Sequence, residues 1–277
     1  MAVVSPGPQT PAHLAIPQLL EEYGGRIYAL GLRLCGRPQD AEDLVQETFS
    51  RALRSWARFE GRSSPGTWLY TIAVRTCRKL HRSRRGRSAR MASLDELMPF
   101  DQRRIAVPVS DLEGPLDAQI RAESRSRVEA AIVALPPAYR LPLVLKEIVG
   151  LPIAQVAQVL GLAEGTVKIR VHRGRLKLRA ELDKVLPRTQ HVAPPPAYPV
   201  QVCLDLLTAK QEALDRGVPF EQELVCERCR SVFDSLDLAQ ETCRQLAVGG
   251  LPREIRTRIL SKMAVPAAER RSKKPGR

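Results

Sequence analysis

The stretch GLPIAQVAQVLGLAEGTVKIRVHRGRLKLR, residues 150–179, constrains the fold more than any other part of the chain. Ile153, Val156, Ala157 and Leu160 recur at spacings of three and four and form one apolar helical face. Gly161 ends that helix in a tight turn, and a second helix begins near Ala163. At about 100° per residue, Val167, Val171, Gly174 and Leu178 fall on one stripe and must face a core. The opposite side then displays Gly165, Thr166, Lys168, Ile169, His172 and Arg173. Helix, glycine turn and basic helix form the helix-turn-helix arrangement, whose second helix enters the DNA major groove. A plain pair of helices with a charged outer face is the competing reading. The absence of any acid from Lys168 to Arg179 weighs against it. Lys168 and Arg173 suit guanine or phosphate alike. Ile169, apolar on the outer side, suits a thymine methyl.

The same charge pattern occurs once more. The 277 residues include 44 Lys+Arg and 30 Asp+Glu, a formal charge of +14. From Arg75 to Arg90 eight basic residues and His81 run without a carboxylate, and from Lys168 to Arg179 six more and His172 do so. Two separated acid-free stripes read as two footprints on a polyanion, most plausibly nucleic acid. Single charge runs are more often solvated helix faces, but the density here favours binding.

No apolar run approaches the length of a membrane span, so no membrane insertion is expected. The first Lys or Arg is Arg26, so the positive start of a secretory signal is missing and a cytoplasmic protein with reduced thiols is expected. The helical period recurs in almost every patterned segment, which predicts an all-α fold. Residues 1–17 read as a disordered arm, 18–90 as a first helical domain and 91–119 as a linker. Residues 120–186 hold the helix-turn-helix domain, 187–199 a proline-rich spacer, 200–250 a cysteine-rich helical domain and 251–277 a basic tail.

In the first domain, DAEDLVQETFSRAL carries Asp40, Asp43 and Glu47 on one helix. An acidic patch cannot help hold DNA and suggests a second, basic partner. FEGRSSPGTWLY sets Phe59, Trp68 and Tyr70 around a loop just before the first basic stripe. Aromatics beside phosphate-binding arginines suit unstacked single-stranded bases, although Trp68 and Tyr70 taken alone are more often core residues. Trp68 is expected to be partly core.

Together, DAEDLVQETF, TWLYTIA, LPPAYRLPLVL and GTVKIRVHRGRLKLR resemble, in order and approximate spacing, the bacterial RNA polymerase sigma factors of the extracytoplasmic-function type. The resemblance covers about residues 18–90 and 120–186. It implies a sigma region 2 in which Asp40, Asp43, Gln46 and Glu47 meet the polymerase clamp helices. Ser63, Ser64 and Thr67 would lie in a loop, Phe59 to Thr67, that captures a flipped promoter base. Trp68, Arg75, Arg78, Lys79 and Arg82 would lie on a helix that holds the −10 element. It implies a region 4 that reads the −35 element with Thr166, Lys168, Ile169, His172 and Arg173. The implied partners are core RNA polymerase through its β and β′ subunits, promoter DNA and an anti-sigma factor. No catalysis is implied. The family often has Ser where this chain has Ile169, which predicts an atypical −35 preference. An ordinary helix-turn-helix regulator, binding duplex DNA without polymerase, is the alternative function.

The late segment VCLDLLTAKQEALDRGVPFEQELVCERCRSVFDSL reads as two helices around a break near Gly217 to Pro219. Cys226 and Cys229 share one helix face, and an antiparallel return would bring Cys203 beside them. The segment resembles the zinc-binding helical domain of anti-sigma factors and the cysteine-rich tails of some metal-responsive sigma factors. That resemblance implies Cys203, Cys226 and Cys229 as ligands of Zn, Cu or Cd. The position where such domains carry a His is Gln222, so Cys243 or a nearby carboxylate is expected to complete the set. A thiol switch without metal and plain core cysteines are the other two readings, whereas a thioredoxin-like enzyme lacks its βαβ setting.

Overall fold

The computed structural model describes residues 5–81, 104–108, 126–185, 188–192, 195, 197–246 and 250–264. The chain divides into two compact units. The first is drawn from Met1–Arg87, Gln158–Gly161 and Ala247–Arg277, the second from Ser88–Ala157 and Leu162–Leu246.

In the first unit α1 (Ala12–Cys35), α2 (Pro38–Ser55) and α3 (Pro65–His81) pack as a helical bundle. The apolar period of α1 places Leu19, Leu20, Ile27 and Leu30 in the core, where they meet Leu44, Val45 and Phe49 of α2 and Leu69 and Val74 of α3. Gly31 is required at the α1–α2 crossing, because a Cβ there would lie 2.9 Å from the Ala41 backbone. The chain start departs from the expected loose arm. α1 begins at Ala12, with Ala15 and Ile16 fully buried, and Thr10 accepts a 2.7 Å hydrogen bond from the Trp56 indole. Pro17, the last residue of the expected arm, lies inside α1, where it removes one backbone donor without ending the helix. The expected basic tail also departs. Residues Arg253–Ala264 form a helix, α10, whose Ile255 and Ile259 are buried and whose Arg256 and Arg258 pair with Glu21 and Glu42 at 2.6 and 2.9 Å. Two apolar residues four apart give α10 a packing face that its charge composition hides.

The second unit begins with a helix over 126–134, α4, followed by α5 (Pro137–Leu143). A wide helical turn, Val144–Ile148, follows, with the Val149 amide donating to the Val144 carbonyl at 3.0 Å. Such turns splay the backbone and re-aim side chains, and here the turn carries the buried Glu147. Next come α6 (Ile153–Leu160) and α7 (Glu164–Val185), joined through Gly161, whose φ of 66° needs a residue without Cβ. Val167, Val171 and Leu178 are buried, and Gly174 lies against Leu143 and the Tyr139 carbonyl, so the expected inward stripe of α7 is the observed one.

Two further helices, α8 (Val200–Arg216) and α9 (Glu227–Leu246), complete this unit. The fold is all-α in class, with one addition. Arg104–Pro108 (β1) and Arg188–Val192 (β2), in segments read as linker and spacer, pair antiparallel with Ala106 opposite Gln190. Five-residue strands this far apart leave no sustained period in either segment.

Candidate nucleic-acid and polymerase interfaces

On α2, residues 40, 43 and 47 recur at i, i+3 and i+7, which lays them along one face. Asp43 is exposed, while Asp40, Gln46 and Glu47 are half-buried. Glu47 accepts from Arg51 at 2.6 Å, so its charge is partly answered within the helix.

The predicted base-capturing loop is more tightly built than its glycine and serine content suggests. Phe59 is buried, and its ring lies 4.9 Å from Trp56 and 5.2 Å from Trp68. Trp56, which the sequence reading did not single out, completes the trio. Trp68 stays half-buried, as expected, whereas Tyr70 is 1% exposed and belongs to the core. Ser64 caps α3: its Oγ accepts the Thr67 amide at 3.1 Å and lies 2.9 Å from Thr67 Oγ1. Thr67 is thereby buried, whereas Ser63 and Ser64 retain accessible surface. Arg75, Arg78 and Lys79 are exposed along the far half of α3. Arg82 lies outside the described residues.

The second basic stripe behaves differently. Lys168, His172 and Arg175 lie at i, i+4 and i+7 on α7, and α8 lies across all three. Lys168 Nζ donates to Glu212 Oε1 at 2.7 Å, and the His172 ring meets Asp215 Oδ2 through Nε2 at 2.9 Å. Gln211 donates to the His172 carbonyl at 3.2 Å, and Lys146 donates to the Asp215 carbonyl at 3.0 Å. The expected open display of Lys168 and His172 is therefore corrected: the His172 side chain is 16% exposed and both are engaged by α8. Gly165 and Ile169 remain exposed, and Thr166 and Arg173 are half-buried.

Below these contacts sits a buried polar network. Arg175, 2% exposed, donates to Glu147 Oε1 from Nε at 3.0 Å, to Gln211 Oε1 at 2.9 Å and to Asp215 Oδ1 at 2.7 Å. Gln240 of α9 donates to the other Glu147 oxygen at 3.0 Å. Burial pushes the Asp215 carboxyl up, but the His172 hydrogen bond and the Arg175 guanidinium outweigh it and hold the group below its ordinary value. The exposed Glu212 carboxyl is likewise lowered, chiefly by its hydrogen bond from Lys168. The sequence signal for this arrangement is small: an acidic pair at i, i+3, Glu212 and Asp215, just before the helix-ending Gly217.

The three cysteines expected to act together do converge. Cys203 and Cys229 lie in an apolar cluster with Leu207, Leu214, Val232, Phe233 and Leu176 of α7, and Cys226 packs on its edge. Cys226 immediately precedes α9 rather than lying on it. Burial pushes its thiol up, yet the amides of Cys229, Ala197 and Arg228 outweigh that and lower it, as a helix N-terminus does. Burial, then hydrogen bonding with Cys203, pushes the Cys229 thiol well above its ordinary range. Cys243 cannot join them. It lies fourteen residues beyond Cys229 on the same helix, roughly 21 Å by helical rise. Among the described residues, no group of three or more His, Cys, Asp or Glu side chains is placed to hold a metal ion.

No helix among the described residues is long and apolar enough to cross a membrane. Residues 19–87 match the family model Sigma-70 region 2, and residues 125–178 match Sigma-70, region 4. The ECF RNA polymerase sigma factor SigE of Mycolicibacterium smegmatis is 40% identical over 172 residues, 60% of this chain and 61% of that protein. The ECF RNA polymerase sigma factor SigW of Bacillus subtilis is 34% identical over 173 residues, 61% of this chain and 89% of that protein. The RNA polymerase sigma-H factor of Pseudomonas aeruginosa is 32% identical over 175 residues, 62% of this chain and 88% of that protein. The chain thus spans about three-fifths of the first relative's length and nearly nine-tenths of the other two. Both matched regions end before α8 begins.

Proposed function

The chain belongs to the extracytoplasmic-function RNA polymerase sigma factors, and from that membership we propose that it binds core polymerase in the cytoplasm and directs promoter recognition and transcription initiation. The observation that carries this is the joining of a region 2 bundle and a region 4 helix-turn-helix in one chain. The acidic face of α2 supports it over a polymerase-independent regulator, which has no use for such a face. In this reading Asp40, Asp43, Gln46 and Glu47 meet polymerase, and Ser63, Ser64, Trp68, Arg75, Arg78 and Lys79 serve the −10 element. Thr166, Lys168, Ile169, His172 and Arg173 serve the −35 element. The protein supplies specificity and contacts rather than catalysis.

Run-off transcription with core polymerase tests the proposal. Adding the chain should give transcripts from a defined start, and Asp43→Lys/Glu47→Lys should lose them by failing to bind core while remaining helical. Identical DNA footprints with and without core polymerase would contradict it.

A regulatory role for the cysteine segment is a second reading, supported by Cys203 of α8, Cys229 of α9 and Cys226 just before α9 meeting in one cluster with Leu176 of α7. A thiophilic metal there would hold Cys203, Cys226 and Cys229 as thiolates and tie α8 to the start of α9. Metal analysis of reduced protein is the test: one Zn, Cu or Cd per chain supports it, and none after metal supplementation removes it.

A further inference from the structure

We infer that α8 is an internal occupant of the DNA-reading stripe of α7, with Glu212 and Asp215 standing where DNA phosphates would be neutralised. The inference rests on the proposed role of α7 in reading DNA. Its own support is the match between two short rows of side chains. Lys168 and His172 lie four apart on α7, Glu212 and Asp215 three apart on α8, and each α7 side chain meets its own carboxylate within 2.9 Å. Phosphate oxygens are the other natural partners of these side chains, and one cation cannot serve both acceptors at full strength.

The two layers of the contact differ in strength. Beneath, Arg175, Glu147, Gln211 and Gln240 bind one another in near-complete burial, so α8 and α9 are integral to this unit. Above, the Lys168–Glu212 pair is about two-fifths exposed on both sides, the kind of ion pair that contributes little to stability. The Lys168–Glu212 pair is therefore the part that an incoming polyanion can displace without unpacking the unit, whereas Asp215 is also held by Arg175. Because α8 belongs to the same chain, its carboxylates compete at high effective concentration and weaken DNA binding even though each pair is weak. The expected consequence is a free chain that binds duplex DNA poorly.

The test uses the full chain and a labelled random-sequence DNA duplex, with binding followed by anisotropy across a salt series. Glu212→Gln/Asp215→Asn keeps the shape of α8 and its bonds to Arg175 but removes the competing charge. It should bind about three- to tenfold tighter, and its log K against log salt should steepen by roughly one to two. Adding Lys168→Ala to that background should reverse most of the gain. Glu212→Gln alone, at an exposed position, should give the smaller part of the effect and decides the matter if the double variant folds poorly. Unchanged affinity in the charge-removed variants, with Lys168→Ala still weakening binding, would overturn the inference and leave α7 as a DNA reader. No response to Lys168→Ala in either background would overturn the reading of α7 as well.

Discussion

Two basic stripes that look alike in the sequence have opposite fates in the structure. On α3, Arg75, Arg78 and Lys79 lie exposed at the far end of the helix. On α7, Lys168, His172 and Arg175 lie under α8, and Arg175 is among the most buried side chains of the protein. Both stripes lack local acids, so local charge density does not separate them. What separates them is burial against a distant part of the chain. Arg175 finds Glu147 28 residues before it and Asp215 40 residues after it. A cation stripe is an available polyanion site only where the fold leaves it exposed.

Substitution should show this difference most strongly in stability. Arg175→Ala leaves Glu147 and Asp215 facing each other's charge without their shared cation. It should cost about 3–5 kcal/mol, the usual penalty for breaking a buried pair from one side. Arg75→Ala on α3 should stay within about 0.5 kcal/mol, as exposed substitutions do. Urea denaturation of both variants measures the contrast, and equal costs would erase it.

Acid should separate the stripes by a smaller margin. The Asp215 carboxyl is held below its ordinary value of 3.8, so its contribution to stability is fully present above that value and is lost as pH falls through the folded pKa. The groups facing it are His172, Arg175 and Glu147, with Lys146 on its carbonyl. Wild type should lose more stability than Asp215→Asn as pH falls from about 4 to about 2, and parallel losses would show that Asp215 is not the titrating group.

The smallest effect belongs to Lys168 and Glu212. A double-mutant cycle between them should give a coupling below about 1 kcal/mol, because both side chains are half in water. A coupling of several kcal/mol would place this pair with the buried network and make the upper layer as hard to open as the lower.

Much of the fold was legible because it rests on local periods. The inward stripe of Val167, Val171 and Leu178, the Gly161 turn and the α1 stripe follow from spacing alone. The acidic helix face on α2 was legible for the same reason. Other features depend on residues far apart in the chain and leave little local trace. Trp68 reaches the Trp56–Phe59 pair only through the fold, and β1 meets β2 across eighty or more residues. α10 hides two core isoleucines among basic residues. The same reasoning explains the site. The identity of the α7 stripe was readable, but its accessibility was not, because Glu212 and Asp215 look like ordinary solvated acids until α8 is docked. Pro17 misled for a different reason: packing of Ile16 and Leu19 tolerates one missing hydrogen bond.

The central claim is that α8 rests on the cationic stripe of α7 in the free protein, and hydrogen exchange measures it most directly. A helix of the length of α8 is marginal by itself in water, so strong protection of its amides requires docking. The account predicts that residues 206–216 and 168–178 exchange slowly and together in the free chain, and that Arg175→Ala speeds both segments. Fast exchange across 206–216 beside a protected α7 would contradict it.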